Sequence, residues 1–265
     1  MNNYDDRSDF SNNDIDTNKE KKKGIDLISL LLLLLGVTLL AFGIYFLVEP
    51  KIQHKKQDAA AQELLDLVEE DSLTPTITFR ADQLIVNGEE GQEETFFTIG
   101  PDGVESGTSG NGAENGSNEA PMVTVYGMGS LRIPSINLVM PLANNTDTYS
   151  LRVAIGHFPS SALPHEIGTG VYFGHRMTSD GRYFNRLNQV GVGSQVLIDY
   201  QGTRYTYTVD KHTIIPVADL ASVVFRENTS EQRILLVTCH PLNSPIGQSP
   251  ERILVEAYLT DVSGQ

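Results

Sequence analysis

The chain has 265 residues, 40% of them hydrophobic, with no tryptophan and a net charge of -15. That is enough material for one or two domains with an ordinary core. The acidity is local: residues 57–121 hold 15 acids against one base (Arg80), whereas residues 122–265 carry only -1, and with no basic cluster in residues 57–265 no nucleic-acid partner is expected.

Residues 1–24 are rich in Asn, Asp and Lys and read as a disordered segment. An uncharged, leucine-rich stretch of 22 residues follows, from Leu27 to Val48. A bilayer-spanning helix needs about 20 apolar residues, and the apolar core of a signal peptide has roughly 7–15. Residues 25–48 are therefore expected to be a single uncleaved transmembrane anchor. Lys19, Lys21, Lys22 and Lys23 flank one side and Lys51, Lys55 and Lys56 the other. The positive-inside rule narrowly favours a cytoplasmic N-terminus and an extracellular remainder. A single cysteine, Cys239, suits export, because a second would risk oxidative pairing.

Residues 49–121 form an acidic helix and linker region. Residues 58–71 read as a short helix that continues the membrane helix, with Leu64, Leu65 and Val68 as a modest apolar stripe. Residues 76–79, 83–86 and 94–99 are candidate strands, with Asn87-Gly88 as a turn signal. They form either a small hairpin or an extended tether, and could supply a lid. Residues 100–120, rich in Gly, Ser, Asn and Glu, predict a flexible linker.

From Met122 to the C-terminus short apolar runs recur between turn residues: 122–126, 130–133, 137–142, 169–174, 195–200, 204–216, 233–239 and 252–260. Gln201-Gly202 predicts a hairpin turn. Brief helical pattern is confined to 182–188 and 217–224. Many short strands at this spacing predict an all-β sandwich or barrel over residues 122–265.

Three residues carry candidate chemistry. Cys239 closes the run Arg233-Ile-Leu-Leu-Val-Thr-Cys239, His175 closes Gly170-Val-Tyr-Phe-Gly-His175, and Arg252 opens the last run. Taken singly each has an ordinary reading, since free cysteines are among the most buried residue types. Together, a thiol, an imidazole and a guanidinium at strand ends are the parts of a cysteine acyl-transfer site. The loop His240 to Pro250 returns the chain so that Cys239 and Arg252 lie at one end of adjacent antiparallel strands. His240 is a poor base for Cys239, because neighbours on a strand point to opposite faces. A metal site of Cys239, His240 and His175 is disfavoured: the chain has no paired cysteines and no His-Glu-x-x-His spacing.

Several ordered segments between Gly129 and Val262 resemble the sortases, membrane-anchored cysteine transpeptidases of bacterial cell surfaces. Gly129-Ser-Leu-Arg-Ile-Pro-Ser-Ile136 resembles their opening strand. Gly156-His157-Phe-Pro159 with Ala162-Leu-Pro164 resembles a Gly-His-(Tyr/Phe)-Pro…Leu-Pro stretch. Tyr172-Phe-Gly-His175-Arg176 resembles the segment bearing the family histidine, and Leu235-Leu-Val-Thr238-Cys239 the Thr-Leu-x-Thr-Cys signature, with Leu235 in place of its first threonine. Arg252 falls where the family arginine does.

The resemblance implies a closed barrel of about eight strands with short helices, preceded by one transmembrane helix and an acidic tether. It implies a catalytic set of His175, Cys239 and Arg252, with Thr238, His157 and Pro164 as substrate-binding candidates. The implied substrate is a surface protein with a C-terminal Leu-Pro-x-Thr-Gly-like motif, joined through a thioester to an amine acceptor such as a cell-wall precursor. Residues 214–232 are expected to help read the motif. Cys239-His240-Pro241 and the absence of a second apolar span before Gln265 favour a branch that does not build pili. No cofactor is expected; Glu227 and Glu231 are the acids that could bind calcium as in some relatives. The alternatives are a peptidase using the same site and an inactive membrane-tethered binding module.

Overall fold

The computed structural model describes residues 27–70, 74–83, 99–100, 103–104, 120–176, 182–241 and 249–264. Of the strand expected at 83–86, Gln83 instead ends a short 3-10 turn, Ala81–Gln83, and residues 84–86, the turn at 87–88, and most of the linker and of the run at 94–99 lie outside the described residues. Contacts divide the chain into two compact units, Met1–Leu47 and Val48–Gln265.

In the first unit the helix α1 (Leu27–Glu69) begins. Its segment Leu27–Tyr45 is long and apolar enough to cross a membrane, and its side chains are exposed, as expected of a surface that meets lipid. Residues 58–71, expected to continue the membrane helix, do so as far as Glu69, the end of α1. The predicted stripe lies within the second unit, where Leu64 and Leu65 are buried and Val68 is half-buried. Leu64 joins an apolar cluster with Ile77, Phe79, Val125, Ala143 and Val153.

Among the described residues the second unit contains eleven strands: β1 (Thr76–Arg80), β2 (Ile99–Gly100), β3 (Gly103–Val104), β4 (Met122–Ile133), β5 (Leu138–Ala143), β6 (Ile155–His157), β7 (Gly168–Phe173), β8 (Gln195–Tyr200), β9 (Thr203–Pro216), β10 (Gln232–His240) and β11 (Glu251–Gly264). Two short helices, α2 (Thr148–Val153) and α3 (Leu220–Val224), lie between them. Eight strands pair in the order β4-β5-β6-β7-β10-β11-β9-β8, and β8 pairs back with β4 to close a ring. β1 pairs with the first half of β4, while β2 and β3 form a separate small sheet.

The two apolar runs at 122–126 and 130–133 are one strand, β4, because Gly127 to Gly129 bridge them with an irregularity in the ladder to β5. The Gln201-Gly202 hairpin forms as expected, both residues having positive φ (49° and 69°), the geometry of a type I′ turn. α2 starts at a carboxylate cap: Asp147 accepts from the Tyr149 and Ser150 amides.

The interior of the ring is filled from every strand. Leu131, Ile133, Leu142, Ile155, Tyr172, Ile198, Tyr207, Leu236 and Val255 form one buried cluster. Each such side chain contributes roughly 1.5–3 kcal/mol by leaving water.

The closing seam depends on Gly129, which pairs with both Leu142 and Tyr200. A Cβ there would sit 2.1 Å from the Asp199 carbonyl oxygen. That neighbour is backbone, so no rotamer change relieves the clash and the strands must part. Gly129→Ala is expected to destabilise the fold by about 3 kcal/mol, the upper end of ordinary overpacking. Thermal unfolding of the full chain in micelles should show a midpoint lower by roughly 6–12 °C.

Candidate active site

Two parallel neighbours, β7 and β10, run side by side with Phe173 opposite Val237, so both end at the same rim. Past that pair the Gly174 amide donates to the Val237 carbonyl at 3.2 Å. The Thr238 hydroxyl donates back to the Gly174 carbonyl at 2.7 Å. This staple carries His175 to the level of Cys239. On the other flank β11 returns antiparallel and sets Arg252 directly opposite Cys239. Opposed residues project to one face, with Cβ atoms roughly 4.5–5.5 Å apart.

Strand alternation decides which face is used. Leu235, Val237 and Cys239 share an apolar cluster on the outside of the ring with Val171, Phe173 and Leu254. Ile215, Val223 and Val224 pack against it, giving an apolar floor beside the thiol. Cys239 is 5% exposed and Arg252 8%; His175 is half-buried. Arg252 Nη1 donates to the carbonyls of Ser249 (2.8 Å) and Glu251 (2.9 Å), which pins the guanidinium at the start of β11. The His175 ring meets Tyr183 edge-on, with centroids 6.1 Å apart.

His240 is engaged elsewhere, as alternation requires. Its Nδ1 accepts from Arg176 Nη1 at 2.8 Å, and its Nε2 is 3.8 Å from Glu251. Arg176 also reaches the Cys239 carbonyl at 3.5 Å. Burial lowers the pKa of this guanidinium, and attraction to Cys239 works against that lowering. A cation interacting with the sulfur favours thiolate, the nucleophilic form. Sequence gives little signal for Arg176, since an arginine after a strand-end histidine reads as a surface base.

The other sequence candidates do not join these three side chains. Thr238 is fully buried and its hydroxyl is committed to Gly174, so it acts as a staple. His157 pairs with Tyr172, whose ring belongs to the interior cluster, and the two rings are 5.3 Å apart. His157 therefore lies on the inner face, where burial pulls its pKa down and Nε2 contacts the Ala162 carbonyl and the Ser161 hydroxyl, each at 3.1 Å. The Pro164 carbonyl accepts from Gln232 Nε2 at 3.3 Å. Gln232 opens β10, seven residues from Cys239, or about 23 Å of strand. The structure thus groups His175, Cys239 and Arg252 and does not bring His157 or Pro164 to them. Among the described residues no set of three or more His, Cys, Asp or Glu side chains could hold a metal. Glu227 and Glu231 are both exposed.

The family model for the sortase domain matches residues 131–260. Sortase D of Bacillus subtilis is 30% identical over 152 residues, covering 57% of this chain and 73% of that protein. The chain belongs to the sortase family. Among solved structures, a sortase D5 transpeptidase of Clostridium perfringens is 24% identical over 51% of this chain and 79% of its own, with a TM-score of 0.45. Sortase A from Corynebacterium diphtheriae is 28% identical over 51% of this chain and 61% of its own, also at 0.45. Family membership makes this sortase a transpeptidase in general terms. Its His175, Cys239 and Arg252 all lie inside the matched region, and its N-terminal apolar helix suits the membrane association of sortases.

Proposed function

We propose that this sortase is a cysteine transpeptidase that cleaves a Leu-Pro-x-Thr-Gly-like motif in surface proteins and transfers the product to an amine. The supporting observation is the register of β10 against both neighbours: Cys239 stands opposite Arg252 and two residues past the Phe173–Val237 pair. Cys239 Sγ attacks the carbonyl carbon of the residue before the scissile bond, and a tetrahedral oxyanion forms. Collapse breaks the C–N bond and leaves a thioester, with His175 giving the departing amine its proton. An incoming amine loses a proton to His175, attacks the thioester and releases the thiol. Arg252 donates to the oxyanion, a task suited to a group that is always charged and carries several donors. The apolar floor formed by Val237, Leu254 and Ile215 suits the leucine and proline of such a motif. On this reading the apolar part of α1 is a single membrane pass, the ring lies outside the cell, and the acceptor is the amine of a cell-wall precursor.

The test uses the full chain in lipid vesicles with a fluorogenic Leu-Pro-x-Thr-Gly peptide library, with and without an oligoglycine amine. Cleavage that leaves the N-terminal fragment ligated to oligoglycine, read by mass spectrometry, is the expected result. A fragment ending only in a free carboxylate would identify a peptidase. No cleavage of any member would reject the motif.

A further inference from the structure

The loop between β7 and β8 re-enters the described structure at Arg182, whose side chain is buried although it carries a charge. A buried guanidinium needs a partner to offset its lost hydration. Here the partners come from the end of α1. Arg182 Nε is 2.5 Å from Asp58 Oδ1, and Nη2 donates to Gln57 Oε1 at 3.3 Å. The same Nη2 donates to the Tyr183 hydroxyl at 3.2 Å. The guanidinium carbon lies 5.0 Å from the Tyr183 ring centre, within cation–π range.

Tyr183 is buried, and its hydroxyl donates to the Arg152 carbonyl. Its φ is +45°, a left-handed conformation that is unfavourable for a bulky aromatic side chain and persists only where surrounding contacts impose it. The contacts on this residue have a destination. Its ring meets His175 edge-on, and the next residue, Phe184, donates its amide to the His175 carbonyl at 3.0 Å. Ala61, one helical turn beyond Gln57 and Asp58, packs in the same buried cluster as Tyr183 and Phe184. A continuous chain of contact therefore runs from α1 through Arg182 and Tyr183 to His175.

We propose that Asp58 and Arg182 are positioning residues that hold His175 in its working orientation through Tyr183, so that the membrane-proximal helix is part of the catalytic apparatus. The proposal rests on the reading of His175 as acid and base. It accounts for a buried guanidinium paired to an exposed carboxylate of α1 and for a strained aromatic beside the histidine. A purely mechanical role for the pair, fastening α1 to the ring, would leave the His175 environment unchanged.

The test uses the full chain in micelles with its six histidines labelled at the ring Cε1 carbon, the His175 resonance being assigned by its loss in His175→Gln. Asp58→Ala and the isosteric Asp58→Asn are compared with wild type by NMR and by turnover of the best library peptide. The expected result is a displaced or broadened His175 resonance with the His212 resonance unmoved. Turnover should show a roughly tenfold lower kcat with KM within about twofold, and recovery of most of kcat in Asp58→Glu. An unmoved His175 resonance in folded Asp58→Asn overturns the proposal whatever the activity. A displaced resonance with unchanged kcat would support the brace while overturning the catalytic assignment of His175.

Discussion

Cys239→Ala sortase is expected to lose at least about 10⁵-fold in kcat, the scale seen when the nucleophile is removed from a covalent mechanism. Without sulfur there is no thioester, so neither hydrolysis nor transfer proceeds. The substitution itself is mild. Cys239 sits at the end of β10 on the outer apolar cluster, 5% exposed, and alanine there should cost about 1 kcal/mol. The unfolding midpoint should therefore move by only about 2–4 °C, which separates lost chemistry from lost fold. Library cleavage that persists in the folded variant would remove Cys239 from the mechanism.

For Arg252→Ala the expected loss is about 10²- to 10³-fold in kcat/KM, or roughly 2.7–4 kcal/mol. The loss should fall mainly on kcat, because the oxyanion exists in the transition state and not in the bound peptide. Arg252→Lys should recover only part of it. Lysine keeps the charge but cannot reproduce the planar fork, nor hold the Ser249 and Glu251 carbonyls as Nη1 does. A rise in KM at constant kcat would instead make Arg252 a substrate-binding residue. Steady-state kinetics of both variants on one library peptide decides between these outcomes.

The ring was largely legible in the sequence because it is built from runs of alternating or continuous apolar residues bounded by turns. β8, β9, β10 and β11 fall within a few residues of their expected spans, and the Gln201-Gly202 hairpin follows from turn chemistry alone. β6 was not legible: three residues, Ile155–His157, are too few to show any periodicity. The end of α1 was seen as helix, but its docking was not, since Leu64 and Leu65 give only a short stripe and the surface they bury against lies far along the chain. At the site, strand ends marked His175, Cys239 and Arg252, which β10 and its two neighbours bring to one rim. Sequence could not tell that His157 faces inward or that Pro164 sits at the opposite end of β10. Which face a residue takes depends on pairing register, and one step of register reverses it. Arg176 and Arg182 carried no pattern, because their meaning comes from partners 64 and 125 residues distant.

β7 and β10 are parallel neighbours, yet 64 residues separate His175 from Cys239. Contacts between such distant positions form slowly, because a long loop must close before they give any return. Under the proposed mechanism, a chain that has not yet inserted β10 between β7 and β11 carries its sulfur without a proton donor or an oxyanion partner. On that mechanism the reactive centre comes into being only when the molecule is finished, and immature copies are kept from attacking the wrong peptide.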